Sequence, residues 1–208
     1  MSKGISANVG GSYQQAKASY VNVNGTWTKF GGGLSWATVS NTPTGTYTGD
    51  DGHTYAYYLF DSDGTLTVTT AGLLEVLLVS GGGGSFAVGP GYTVPGVGAY
   101  LVTGLHPFAS GSMAVTVGNA GTYGEIERDT AKLTGEPSSI GTLTTGRPRY
   151  GSGSAAPKGG TYVSYITGTP LGVSGSVGHG SPHPTYGGGA PTGGNGQPGV
   201  VIAKTRLN

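Results

Sequence analysis

The sequence predicts an all-β protein: a small N-terminal hairpin module, then a β-sandwich-like domain with long glycine-rich loops. Three observations point there. No stretch carries apolar residues at a helical period for the roughly ten residues an amphipathic helix needs; residues 125–133 come closest, but they are nearly all polar. Short runs rich in β-branched and aromatic residues recur between turn signals. The 44 glycines among 208 residues are about threefold the usual share, and they cluster between those runs.

The first module occupies residues 1–40. Ser19-Tyr20-Val21-Asn22-Val23, then Asn24-Gly25, then Thr26-Trp27-Thr28-Lys29-Phe30 is a hairpin signal. Asn-Gly suits both central positions of a type I′ turn, which fixes the pairing Val23/Thr26, Asn22/Trp27, Val21/Thr28 and Tyr20/Lys29. A lone hairpin is marginal in water, so this module either leans on a neighbour or forms a loose arm.

The second domain, residues 41–208, opens on the strongest strand signals. TYAYYLF at residues 54–60 is aromatic-rich, Asp61-Ser62-Asp63-Gly64 is a turn, and TLTVT at residues 65–69 alternates. Residues 73–80 place apolar side chains on both parities, as in a strand covered on both faces. This Tyr, Leu and Val set is expected to supply most of the core.

Gly81-Gly82-Gly83-Gly84 then opens a loop to about Gly98, followed by strands near residues 100–105 and 112–117. Residues 146–199 hold 17 Gly and 7 Pro, with one short strand near residues 161–166. Residues 199–206 close the chain as an apolar strand, so the glycine-rich stretch before them is an excursion from the fold and not a frayed tail. Three glycine triplets step by three: Gly118/Gly121/Gly124, Gly172/Gly175/Gly178 and Gly193/Gly196/Gly199. That is the repeat of polyproline-II-type helices, in which glycine allows close packing; about two such triplets arise from composition alone.

Composition excludes several classes. Leu, Ile, Val and Phe total 40 of 208 residues, at the ~20% border of disorder, but the high net charge that disorder also requires is missing at +1. Clustered glycine with few prolines is not collagen. No apolar run approaches the ~20 residues of a transmembrane helix, so no membrane insertion is expected. No secretory signal is visible, so the chain is expected in the cytosol unless it leaves in an assembled particle. Without Cys there are no disulfides or thiolate metal sites. Near-neutral charge removes the footprint of a nucleic-acid binder.

The run Leu74-Glu75-Val76-Leu77-Leu78-Val79-Ser80-Gly81-Gly82-Gly83-Gly84 resembles the strand-to-loop of the glycine-rich domain in minor tail proteins and tail fibres of double-stranded DNA bacteriophages. Leu66-Thr67-Val68, Met113-Ala114-Val115-Thr116-Val117-Gly118-Asn119-Ala120-Gly121 and Gly193-Gly194-Asn195-Gly196-Gln197-Pro198-Gly199-Val200-Val201-Ile202 follow that family's order. The resemblance covers roughly residues 54–203. Tyr20 to Trp27 also resembles a hairpin of tail proteins of phages that infect actinobacteria. Phe86, Tyr92, Val94 and Val97 depart from the family, whose members keep that loop richer in glycine.

The resemblance implies a structural virion protein of the tail tip or fibre, assembled in the bacterial cytoplasm beside other tail proteins, often trimeric, and contributing to attachment to host-envelope glycan or lipid. It leaves two alternatives, a purely architectural subunit and, more distantly, an envelope-glycan hydrolase.

Catalysis finds little footing. No Ser has Gly at both −2 and +2, so the nucleophile elbow is missing. His179 and His183 have a metal-binding spacing only on a helix, which Gly180 and Pro182 forbid. Asp61-Ser62-Asp63-Gly64 lacks the distal carboxylate of a calcium loop. No spacing fixes a pair among Asp50/Asp51, Asp61/Asp63 and Glu125/Glu127/Asp129 for glycoside hydrolysis. No phosphate-binding glycine loop is present, and no cofactor is expected. Recognition remains. The 13 tyrosines supply rigid amphipathic area that suits sugar rings, and Tyr92, Tyr150, His183 and Tyr186 fall in loops as candidate ligand contacts, against the alternative that these rings plug gaps between glycine segments.

Overall fold

A computed structural model of the chain describes residues 6–9, 12–15, 19–23, 26–30, 35–89, 92–125, 133–147, 162–173, 186–190 and 193–207. Its first part is two separate ribbons. Strand β1 (Ser6–Val9) pairs with β2 (Ser12–Gln15), and β3 (Ser19–Val23) pairs with β4 (Thr26–Phe30). The β3/β4 register joins Val23 to Thr26, Asn22 to Trp27, Val21 to Thr28 and Tyr20 to Lys29. That is the pairing the Asn-Gly signal predicts, since turn length sets hairpin register.

From residue 35 onward the chain builds two packed antiparallel sheets. In order come β5 (Thr38–Val39), β6 (Gly45–Thr48), β7 (Thr54–Phe60), β8 (Gly64–Thr70), β9 (Gly72–Val79), β10 (Phe86–Gly89), β11 (Tyr92–Val94), β12 (Leu101–Phe108) and β13 (Gly111–Thr116). Then follow β14 (Gly124–Glu125), β15 (Ser139–Ile140), β16 (Leu143–Thr144), β17 (Tyr162–Ser164), β18 (Leu171–Val173) and β19 (Val200–Arg206). The first sheet runs β12-β9-β19-β7-β6 and the second β16-β15-β13-β8-β5. The turn at residues 61–63 is therefore a corner between sheets, pinned where Asp63 accepts the Val117 amide at 2.8 Å.

Residues 35–40, assigned by sequence to the N-terminal module, belong to this body. β5 pairs with β8, Trp36 bridges to Leu73, and Ala37 is buried. Ala37 also accepts a hydrogen bond from the Thr205 hydroxyl. A segment of one Trp, one Ala and β-branched residues carries no long strand signal, so only its docking reveals it.

The main core lies between the sheets: Ala56, Tyr58, Leu74, Val76, Leu78, Phe108, Val201 and Ala203 from one, with Leu66, Val68, Val115 and Ile140 from the other. Leu77, Val79, Val200 and Ile202 point the opposite way, into a second cluster with Ile166. β9 is thus apolar on both faces because it is covered on both, and β19 takes its place between β9 and β7. β12 reaches Phe108 through Pro107, three residues beyond its sequence signal. It is an edge strand, where a residue without an amide costs no ladder bond.

Candidate attachment pole

The sandwich has two unlike ends. The three long connections, residues 80–100, 117–138 and 145–199, all leave from and return to one end. The connections at the other are short: residues 49–53, 71, 109–110 and 141–142. Loops on a rigid scaffold are where binding residues concentrate, so the first end is the candidate site.

The described parts of these connections next to residues 81–85 are packed. Along residues 81–85 successive amides point to three different neighbours. Gly81 and Gly84 donate to the carbonyls of Glu136 and Leu133, Gly82 and Ser85 to those of Gln197 and Gly194, and Gly83 to that of Val97. Gly121 and Gly124 donate in turn to Gly82 and Ser85, while Gly199 and Gly196 donate to Gly118 and Gly121. Each paired set advances three residues on both segments. A β-ladder repeats every two residues, whereas three per turn is polyproline-II geometry. The arrangement is a polyglycine-II-like bundle around residues 81–85. One predicted triplet, Gly118/Gly121/Gly124, lies in it, as do Gly196 and Gly199 of another, whereas Gly193 is a turn glycine with φ of 80° outside it; most of Gly172/Gly175/Gly178 lies outside the described residues.

Glycine is required by close approach. A methyl at Gly82 would overlap the Gly188 carbonyl, one at Gly84 that of Thr122, and one at Gly196 that of Gly82. At the root of the bundle sits buried Ser138. Its hydroxyl donates to the Val79 carbonyl at 2.6 Å and accepts the Gly118 amide at 2.8 Å, and its own amide donates to the Thr145 hydroxyl at 2.9 Å. Ser138→Ala leaves buried backbone groups unpaired and is expected to cost about 1–3 kcal/mol in urea unfolding. Ser40→Ala, on the surface, should stay within about 0.5 kcal/mol.

Residues 86–98, expected as plain loop, hold the β10/β11 hairpin, with β14 parallel to β10. The apolar interruptions explain it, because Phe86 and Val94 close a third small core with Leu133.

Of the sequence-derived contact residues, Tyr92 opens β11, and Tyr150 and His183 lie outside the described residues, as does His179. Tyr186 is half-buried against the Leu77, Val79 and Ile202 cluster. Burial, with a smaller contribution from the Asp61 carboxylate, raises its phenol pKa above the ordinary value. Among the described residues, the rings the pole presents include Tyr100, 53% exposed and lying over Gly146, and Tyr123, 46% exposed, whose amide donates to Asn195. Sequence could not single these out: Tyr123 adjoins a glycine as many other tyrosines do, and Tyr100 stands at the start of a strand run.

A second aromatic group lies on the outer face of the first sheet. Tyr47 stacks on Tyr55 at 5.6 Å, Trp36 meets Tyr55 edge-on at 5.7 Å, and the Lys204 ammonium sits 4.8 Å from the Tyr55 centroid while pairing with Glu75 at 2.5 Å. Gly168 abuts the Tyr47 ring. These ring faces are occupied by protein, so the group packs the sheet and offers no stacking platform. Tyr55 donates to Asp51 at 2.6 Å, which chiefly pushes its phenol up to about 12 and holds the Asp51 carboxyl below the usual carboxylate range. The unfolded phenol ionises near pH ~10. The stability this bond gives is therefore full below that pH and above the ordinary carboxylate range; it is lost as pH rises toward about 12, and again as pH falls through the lowered Asp51 pKa. Absorbance titration should show late-ionising tyrosines, and Asp51→Asn should bring one of them back toward the others.

Among the described residues no three His, Asp or Glu side chains gather into a metal-binding group. No family model matches the chain, and no curated protein or solved structure matches it either.

Proposed function

We propose that this chain is a structural subunit of a bacteriophage tail tip or fibre whose glycine pole contributes to attachment to host-envelope glycan. The observation that carries the reading is the polarity of the sandwich: every long connection leaves from and returns to one end, where a hydrogen-bonded bundle holds a segment of each. A surface ordered before it meets its ligand avoids the ordering cost that flexible loops incur. Tyr100 and Tyr123 give that surface amphipathic ring area, and the bundle's neighbours Asn119, Thr122 and Asn195 are exposed polar groups beside them. The sequence resemblance to tail proteins supplies the setting: a virion protein, trimeric, beside other tail proteins.

The half-burial of Tyr186 favours the second reading, an architectural subunit whose loops serve packing. Incubating the purified chain with host cells, with envelope glycans as competitors, separates the two. Attachment predicts glycan-competed binding that falls at least about thirtyfold in a Tyr100→Ser/Tyr123→Ser double variant, in line with ~1 kcal/mol or more per lost aromatic anchor. Absence of binding by the trimer would leave the architectural role.

A further inference from the structure

The short-turn end of the sandwich carries a feature that the attachment reading does not use. Between the β12–β13 corner and the β15–β16 hairpin lies a cleft of about 410 Å³, within the ~300–1,000 Å³ range of small-molecule sites. It forms because the two sheets part at one side. β12 is the edge of the first sheet and β16 the edge of the second, and the core between them opens to solvent there.

Its floor is apolar: Phe108, Met113, Ile140 and Leu143, all members of the main core or packed against it. Its rim is polar, made of His106, Ser110, Ser112 and Thr142; no Asp, Glu, Lys or Arg lines it. Ser112 shares a hydrogen bond with Thr67 at 3.1 Å. The side chains of His106, Ser110 and Thr142 have no protein hydrogen-bond partner among the described residues, so their donors and acceptors are available to a guest.

Strand addition is disfavoured. β12 carries Gly104 with φ of 119° and Pro107, which lacks an amide. Both interrupt the regular row of backbone groups that an added strand would need, as edge strands commonly do to avoid pairing. β16 has only two residues, too few to template a partner. The occupant that fits is small and not a peptide strand.

We propose that this cleft is a binding site for an uncharged amphipathic small molecule, its aliphatic part on Phe108, Met113, Ile140 and Leu143 and its single hydroxyl-type head at His106, Ser110 and Thr142. Charged guests are disfavoured because no Asp, Glu, Lys or Arg in the lining repays their desolvation. The site stands apart from the glycine pole, so neither depends on the other.

The test uses the full chain and three ligands that share one alkyl chain: n-octanol, octanoate and octylammonium. Titration is followed by the methyl NMR signals of Met113, Ile140 and Leu143. The expected result is saturable shifts with n-octanol and at least about tenfold weaker binding of both ions. Ala109→Trp and, independently, Thr142→Trp place an indole in the cleft and should abolish the shifts while leaving the remaining methyl spectrum folded. Equal binding of all three ligands, no saturable shift with any, or shifts that survive in a folded Trp variant would overturn the proposal. So would light scattering that shows a dimer whose cleft methyls are already protected from n-octanol, because the occupant would then be a second copy.

Discussion

Gly82→Ala is expected to cost at least about 3 kcal/mol, at or beyond the top of the ~1–3 kcal/mol range for an added methylene in a packed interior. The new Cβ would overlap the Gly188 carbonyl and lie 2.8 Å from the Gly187 oxygen. Both are backbone, so no rotamer change relieves the clash. Moving residues 187–190 would in turn break the bonds from Ala190 to Gly83, Gly96 to Ala190, Gln197 to Gly188 and Ala99 to Gly187. Gly83→Ala is the matched control, since its Cβ would come no nearer than 3.2 Å to any neighbour, the Val97 amide. A shift of a few tenths of an ångström accommodates it, and the expected cost is about 1 kcal/mol or less. Urea midpoints at unchanged slope measure both. Equal costs at the two positions would show that close packing is not what requires glycine at residue 82.

Leu78→Ala is expected to cost about 2–5 kcal/mol, the range for emptying a leucine-sized space in a core. Leu78 is fully buried in β9, cross-strand from Val201 on one side and Val102 on the other. Leu77 next to it is equally buried but points into the smaller cluster, where the partly buried Leu59 and Leu101 give room for collapse. Leu77→Ala should therefore fall near the lower end, about 2 kcal/mol. A strand with one solvated face would show one large and one negligible effect. Two large effects from neighbouring residues mark a strand covered on both sides, and Leu105→Ala, at a site 53% exposed, should change stability by less than about 0.5 kcal/mol.

Much of the strand content was legible in the chain because its signals are local. TYAYYLF, the two-parity run at residues 73–80 and the apolar run at residues 199–206 became β7, β9 and β19, and Asn24-Gly25 set the β3/β4 register. β5, β6, β15 and β16 were not legible: they span two to four residues, and their pairing partners are what make them strands. The cleft was equally hidden. His106, Ser110, Met113 and Thr142 meet only because β12, β13, β15 and β16 are assembled side by side, and no spacing in the chain announces that.

The glycines divide the same way. Sequence alone determined that their excess could not be disorder or collagen, because charge is low and the glycine-poor stretches between them carry strand patterns. It also placed one period-three triplet that the bundle uses, Gly118/Gly121/Gly124, and two glycines of another, Gly196 and Gly199. Only the tertiary structure decided that the glycine segments at residues 81–84, 118–124, 187–189 and 194–199 are packed and not free. Each segment is hydrogen-bonded to others far away in the chain, as Gly82 is to Gln197 and Gly121 to Gly82. A side-chain-free backbone can satisfy its amides in three directions, but which segments lie in those directions is settled by the strands that deliver them to one end of the sandwich.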